Sequence, residues 1–384
     1  MSIGHEESEL LFPKLVTKPS VAKPFYDPQY QGWLIHSYGE VQQVLTDYTT
    51  FSSKRSNPRP SLPNDQNDPF YAGLVFMDPP QHKQLRAVIA QIFTSRRIND
   101  ISQRIKFFVD ILLDKVVDTG ELDIIDDIAS HLPVLIIAEL LGLPTTDWEK
   151  FRHWTEKIFD APRFVTQQAL QEMREYFSVL IEQRRQSPNQ DMISSLLSAE
   201  VNGKQLTALE LIGNCILLLI AGSETIQNFI GNAMLCLSEY PGSMEQIYAD
   251  HSLIPTALEE VLRYLPPTIT IPRVATKDTM IGNQHIQSGQ WVIPSLLHAN
   301  RDETQFHDPI VFDIHRSPNR HLSFGHGTHF CLGSSLGRLE AKIVLETIFS
   351  RLRNLKRINT VPLIRIANVH SYGVKHLPFT FEKS

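Results

Sequence analysis

Cysteine is scarce: the 384 residues include three, Cys215, Cys236 and Cys331. Three cannot make a disulfide framework or a four-cysteine iron–sulfur cluster. Cys215 and Cys236 sit in apolar, helix-like sequence, which fits a reducing compartment. Positive charge is not in excess. The 36 Lys and Arg face 42 Asp and Glu, a net charge of −6, which argues against nucleic acid as a partner. The opening Met-Ser-Ile-Gly-His-Glu-Glu-Ser-Glu has neither a basic n-region nor an apolar h-region, so no signal peptide is predicted. Long hydrophobic runs are also missing. The longest, Leu211–Gly222, is interrupted by Asn214 and stopped by Glu224, short of the ~20 residues a bilayer needs. Internal repeats and low-complexity tracts are absent. With 42% hydrophobic residues the chain can bury a large core. These absences predict a soluble, cytoplasmic globular protein without a membrane partner, monomeric by default.

What is present centres on Ser323–Gly333, Ser-Phe-Gly-His-Gly-Thr-His-Phe-Cys-Leu-Gly. Glycines at 325, 327 and 333 permit positive φ and a close approach to a large flat ligand. After Gly333 the apolar residues Leu336, Leu339, Ile343 and Ile348 recur on one face of a predicted helix. Cys331 thus precedes a helix N-terminus, where free N–H groups and the macrodipole favour a thiolate. Such a thiolate is a metal ligand or a nucleophile. A zinc site of His326, His329 and Cys331 would need a fourth ligand, and none is obvious nearby. A c-type haem would need Cys-x-x-Cys-His, which is absent.

Phe324–Gly333 resembles the haem-binding loop of the cytochromes P450, F-G-x-G-x-H-x-C-x-G, at every fixed position. The resemblance implies that Cys331 is the axial thiolate of haem b and the metal ligand, with Phe324 and Gly325 beside the proximal face. Three more stretches resemble family signatures. Met77-Asp-Pro-Pro-Gln opens a predicted helix with Asp78 as N-cap and Pro79 at its first position. On it His82 and Arg86 share a face, and D-P-P-x-H-x-x-L-R implies that both bind haem propionates. Leu209–Ser238 reads as one long helix, roughly 45 Å by rise per residue. Within it, Ala221-Gly-Ser-Glu-Thr225 resembles the oxygen-activation motif A-G-x-[D/E]-T. That gives Thr225 a hydrogen bond to dioxygen and Glu224 a place in a proton relay, with Ala221 and Gly222 bordering the oxygen site. From the residues themselves, Thr225 can bond the carbonyl of residue 221. Glu260 and Arg263, at i and i+3, resemble the E-x-x-R pair, joined by Arg316 in a structural network. Arg273 and His321 match the third and fourth propionate ligands.

The fold class implied is mainly α with a smaller β-rich part: one cytochrome P450 domain over 1–384, with β-rich stretches near 20–40, 268–298 and 361–382. The implied function is a haem-thiolate monooxygenase. It would activate dioxygen with two electrons and hydroxylate or otherwise oxidise a small to medium apolar substrate. Those electrons would come ultimately from NAD(P)H, through a separate reductase and a ferredoxin or flavodoxin. Lys83, Arg96, Arg97, Arg104 and Arg338 would receive that partner. A peroxide-driven oxygenase and a non-enzymatic haem sensor or carrier remain as alternatives. Leu74, Val75, Leu218, Ile269, Ile271, Val369 and Tyr372 are the candidate pocket residues, with Arg59 or His370 as a carboxylate anchor. Residues 57–69 read as a loop over the pocket and 161–165 as a lid turn.

Overall fold

The computed structural model describes residues 23–384, except 29, 55–68, 92–94, 161–162, 202, 367 and 369. Arg59, Val369, most of the 57–69 loop and part of the 161–165 turn therefore lie outside the described residues, as do the side chains of Arg96 and Arg97.

The chain begins with β1 (Phe25–Asp27), β2 (Gly32–Ile35), α1 (Tyr38–Thr46) and β3 (Phe51–Ser52). Helices α2 (Gln81–Ala90) and α3 (Ser95–Asp114), strand β4 (Glu121–Asp123) and a π-helical turn at Ile124–Ala129 follow. Next come α4 (Leu132–Leu141), α5 (Trp148–Asp160), α6 (Arg163–Gln186) and α7 (Met192–Leu197). The short β5 (Glu200–Val201) and β6 (Lys204–Gln205) lead into α8 (Ala208–Glu239), then α9 (Pro241–Ala249) and α10 (Ile254–Tyr264). Strands β7 (Arg273–Ala275), β8 (Thr279–Ile281), β9 (Gln284–Ile286) and β10 (Trp291–Pro294) precede α11 (Leu296–Ala299). Last are α12 (Ser334–Arg351), β11 (Leu352–Arg357) and β12 (Pro378–Lys383).

Helix α8 is the axis of the molecule. A capping box starts it: Glu210 N donates to Thr207 Oγ1, and Thr207 N donates back to Glu210 Oε2. Its sequence is apolar on nearly every side, and it packs against α4, α6, α10 and α12. By length and composition α8 could cross a membrane, yet these neighbours make it a core helix. Asn214, expected to interrupt the apolar run, is fully buried and ties two segments together. It accepts from Leu74 N at 3.0 Å and donates to Glu210 O at 2.8 Å. Asn232 does the same further along, donating at 3.1 Å to Leu265 O and to Tyr372 O.

The β structure forms two larger sheets. One has five strands in the order β1-β2-β10-β7-β3, with β2 and β10 parallel and Gly32 opposite Trp291. It positions Arg273 at the start of β7. The other has the order β11-β12-β4 and closes the chain's end over the π-helical turn. The C-terminal strands therefore lie at 352–357 and 378–383, not along 361–382 as expected. Between them the backbone makes only isolated bridges, including Ser371 to Thr268. Helix α2 also starts later than expected, at Gln81. Asp78 is not its side-chain cap, because its carboxylate accepts from Ser52 Oγ and, at 3.0 Å, from Ser53 N. That bond fastens the start of α2 to β3.

Candidate active site

The Cys331 loop is built by backbone hydrogen bonds. Gly325 N donates to Leu322 O at 2.7 Å, and Cys331 N to Phe324 O at 2.8 Å. Gly325 and Gly327 have φ of +72° and +68°, which glycine adopts without strain. A Cβ on Gly327 would also meet Leu45 O at 3.0 Å. Gly333, which lines the cavity, has φ of −85° and makes no such conformational demand. Helix α12 starts immediately after it.

Cys331 faces a cavity of about 370 Å³ rather than bulk solvent. Burial pushes its thiol up, and the Gly333 N–H, Arg86 and Arg338 pull it down without cancelling that push. Burial thus opposes the thiolate that the helix N-terminus favours. A metal cation at Sγ would supply the missing positive charge.

Helix α8 lines the same cavity with Ala221, Gly222 and Thr225. Thr225 Oγ1 donates to Ala221 O at 2.8 Å, as expected for a threonine inside a helix. Gly222 lets Ile137 pack close, since a Cβ there would lie 3.0 Å from Ile137 Cγ1. Glu224 turns away from the cavity and accepts from Asn368 Nδ2 at 3.2 Å. Burial pushes its carboxyl up to about 7, against hydrogen bonds from Asn368, Ser371 and Asn228.

At the other edge, His82 and Arg86 from α2, Arg273 from β7 and His329 from the Cys331 loop meet. The rings of His82 and His329 lie 4.0 Å apart. Burial, then the neighbouring arginines, pushes His82 down to about 4 and His329 to about 3. Burial brings Arg273 down to about 10. Among the described residues no carboxylate forms an ion pair with any of the four. His82 Nδ1 is buried without a hydrogen-bond partner. This edge is made for an anion.

His321, expected as a propionate ligand, is not part of it. Its Nδ1 accepts from Ser323 N at 3.2 Å, and Nε2 then donates to Glu259 Oε2 at 3.1 Å. His329 occupies the expected place instead. Its signal in the sequence is its fixed place in the loop pattern, two residues before Cys331.

Below the loop, Glu260 and Arg263 are completely buried. Arg263 reaches Glu260 with Nη2 at 2.6 Å and Nε at 2.8 Å. Arg316 Nε approaches both carboxylate oxygens, at 3.1 and 3.2 Å, and Asn319 and the Asp313 N–H add further donors. The remaining Arg263 N–H groups serve the carbonyls of Asn300, Pro309 and Val311. This network fixes the segment that carries the Cys331 loop.

Leu74, Val75, Leu218 and Ile271 line the cavity as expected. Ile269 and Tyr372 do not: both are buried in the core behind it. The Ser371–Gly373 turn packs on α8, where a Cβ on Gly373 would collide with Asn228. His370 is held by Thr270, with Oγ1 2.7 Å from Nδ1, and does not line the cavity. Of the expected basic cluster, two described members are neutralised. Arg104 pairs with Glu139 at 3.0 Å and Arg338 with Glu259 at 2.6 Å, while Lys83 is exposed.

The donor set describes its ligand: one apolar cavity is lined by a thiol, by Thr225 and by an anion-binding edge. A flat, dianionic macrocycle with a metal at its centre fits it. The family model for cytochrome P450 matches residues 119–366. The chain is 37% identical to cyclomarin C epoxidase CymV of Salinispora arenicola, over 86% of each chain. It is 35% identical to erythromycin C-12 hydroxylase of Saccharopolyspora erythraea, over 93% of this chain and 91% of that one. Among solved structures, CYP109E1 from Bacillus megaterium in complex with testosterone superposes with a TM-score of 0.89. It is 34% identical and covers 98% of this chain and 99% of that one. The chain therefore belongs to the cytochrome P450 superfamily and is a haem-dependent monooxygenase.

Proposed function

We propose that this enzyme inserts oxygen into an apolar organic substrate, with Cys331 as the iron ligand and electrons from a separate redox protein. One observation carries the reading: Cys331 and Thr225 line one apolar cavity whose edge is basic. Haem, when bound, supplies the oxygen-activating chemistry. Cys331 would hold its iron, His82, Arg86, Arg273 and His329 its propionates, and Phe324 would lie at the proximal face.

The chain's own residues then have defined tasks. Apolar side chains such as Leu74, Ile137 and Leu218 exclude water and select an apolar substrate. Leu74 is held in place by Asn214. Thr225 must release Ala221 O to donate into the cavity, so its hydroxyl is a switchable donor. Glu224, brought near neutrality by burial, can give and take a proton at its carboxylate oxygen at physiological pH. Asn368 holds that carboxylate on the side of α8 away from the cavity.

A medium-sized apolar substrate is favoured by the cavity walls. Relatives named for erythromycin hydroxylation and cyclomarin C epoxidation, and a neighbour solved with testosterone, support it. Alignments over more than nine-tenths of this sequence leave no stretch within it for a flavin or ferredoxin module. A ferredoxin or flavodoxin, reduced ultimately by NAD(P)H, is the fitting donor, and the cytoplasm the fitting location. The acid–threonine pair weighs against a peroxide-driven oxygenase and against a sensor or carrier.

The test is the carbon monoxide difference spectrum of the dithionite-reduced protein, followed by turnover with reductant or with peroxide. A Soret band far to the red, lost in Cys331→His, and turnover only with reductant are expected. A band at the haem–imidazole position would remove the thiolate. Efficient turnover with peroxide alone would assign the peroxide-driven reading.

A further inference from the structure

Behind the Cys331 loop lies a charged group that the reaction above does not use. Arg338, on the second turn of α12, grips Glu259 of α10 with two nitrogens, Nε at 2.6 Å and Nη2 at 2.8 Å. Its guanidinium carbon lies 4.3 Å from the centre of the Phe324 ring. Phe324 lines the cavity, and its carbonyl accepts the Cys331 N–H. Glu259 also receives His321 Nε2, and the His321 ring lies 6.0 Å from that of Phe324. Because Ser323 N donates to Nδ1, the imidazole proton is committed to Nε2 and so to Glu259. Glu259 thus has three donors on two oxygens, one of them from a side chain that is 3% exposed. Burial pushes Glu259 up, but Arg338 and His321 outweigh it and hold its carboxyl at about 2. Glu259 therefore keeps its negative charge at any working pH.

We propose that Glu259, Arg338 and His321 are positioning residues that set the local charge behind Cys331 and so tune how readily the iron is reduced. The inference rests on Cys331 being the iron ligand. Arg338 contributes a positive charge fixed over Phe324 and close enough to act on the sulfur. Glu259 offsets that charge and fixes its place. His321 orients Glu259, which explains why a histidine of this loop points away from the cavity. A fixed cation favours the reduced, less positive iron, and a fixed anion disfavours it. The two effects oppose one another, so each partner removed alone must move the potential in a different direction.

The experiment measures the midpoint potential of the haem-loaded protein by spectroelectrochemistry, after the carbon monoxide spectrum of each variant has been taken. Glu259→Gln keeps an amide oxygen for Arg338 but removes the negative charge, so its potential should become more positive. Arg338→Gln should make it more negative. Each shift should correspond to about a fivefold change in the reduction equilibrium constant, the scale of one charge across a partly solvated distance. The double variant should return close to the wild type, and Arg338→Lys should stay close to it. Single variants that keep the red-shifted band but leave the potential unmoved, or move it in the same direction, would overturn the proposal. If Glu259→Gln does not fold, Arg338→Gln decides alone: a negative shift supports the proposal and an unmoved potential overturns it. A wild-type protein without the red-shifted band would instead bring down the assignment of Cys331.

Discussion

Glu224 stands in sequence between the cavity-lining Gly222 and Thr225, yet its carboxyl lies behind α8, against Asn368. Burial raises it from its ordinary value to about 7. The sign of the consequence follows from linkage. On unfolding, Glu224 regains a pKa near 4.5, so between about pH 4.5 and 7 the folded state binds more protons. Its contribution to stability falls as pH rises through that window and is flat above it. Full burial would make the loss about 3 kcal/mol; Glu224 is only partly buried, so on the order of 2 kcal/mol is expected. Urea unfolding at pH 5 and pH 8 should show the wild type losing stability that Glu224→Gln keeps. Parallel losses in both proteins would place the ionisation elsewhere. The same residue scale shows where sequence reading stops. Cys331, His82, Arg86, Arg273 and Thr225 converge as their motifs imply. His321, expected at a propionate, turns to Glu259 while His329 lines the basic edge; both precede Cys331, and residue type does not tell which imidazole a backbone N–H already engages. Tyr372, expected in the pocket, stays in the core because Asn232 binds its carbonyl and draws the turn onto α8.

Single elements reveal which features hold the site in place. The Glu260–Arg263–Arg316 network joins α10 to the segment before the Cys331 loop with no solvent to compensate a lost partner. Removing one member of a buried charged network leaves the others unpaired, at a cost of about 3–5 kcal/mol. Glu260→Ala should therefore lower the melting temperature sharply and reduce haem content, read as the ratio of Soret to protein absorbance. A variant that loads haem normally would show the network to be dispensable. Inside the loop, the glycines separate by backbone geometry. Gly327→Ala forces a side chain to φ of +68° and against Leu45 O, which should cost about 1–3 kcal/mol. Gly333→Ala introduces no positive-φ strain and should cost less, at most about 1 kcal/mol for a changed N-cap. Denaturant midpoints of the two variants test this order, and equal losses would refute it. A long apolar element was legible in the sequence: α8 runs from Ala208 to Glu239, close to its expected span. The strands of the β11-β12-β4 sheet were not. In it β4 pairs with β12, more than 200 positions away, and no local pattern carries that partnership.

At the scale of the whole molecule, the basic edge links cofactor binding to folding. Four groups from three separate places in the chain, His82 with Arg86, Arg273, and His329, are brought together without a carboxylate ion pair among the described residues. Their mutual repulsion is visible in the low values of His82 and His329, to which burial and the arginines both contribute. Folding therefore gathers positive charge at a cost, and a bound dianion offsets that cost. Anything that binds the folded state alone stabilises it, by about 4 kcal/mol at a thousand times its dissociation constant. The haem-free protein should consequently melt well below the haem-loaded one. Arg86→Gln and Arg273→Gln should narrow the gap from above, by lowering the loaded form. They should leave the haem-free form no less stable, because each removes one repelling charge. Calorimetry of both forms, wild type and variants, separates this from a packing role. If the arginines merely filled space, both forms would fall together and the gap would persist. If they hold the cofactor's carboxylates, only the loaded form falls, and the cluster that weakens the empty fold is the one that makes cofactor binding complete it.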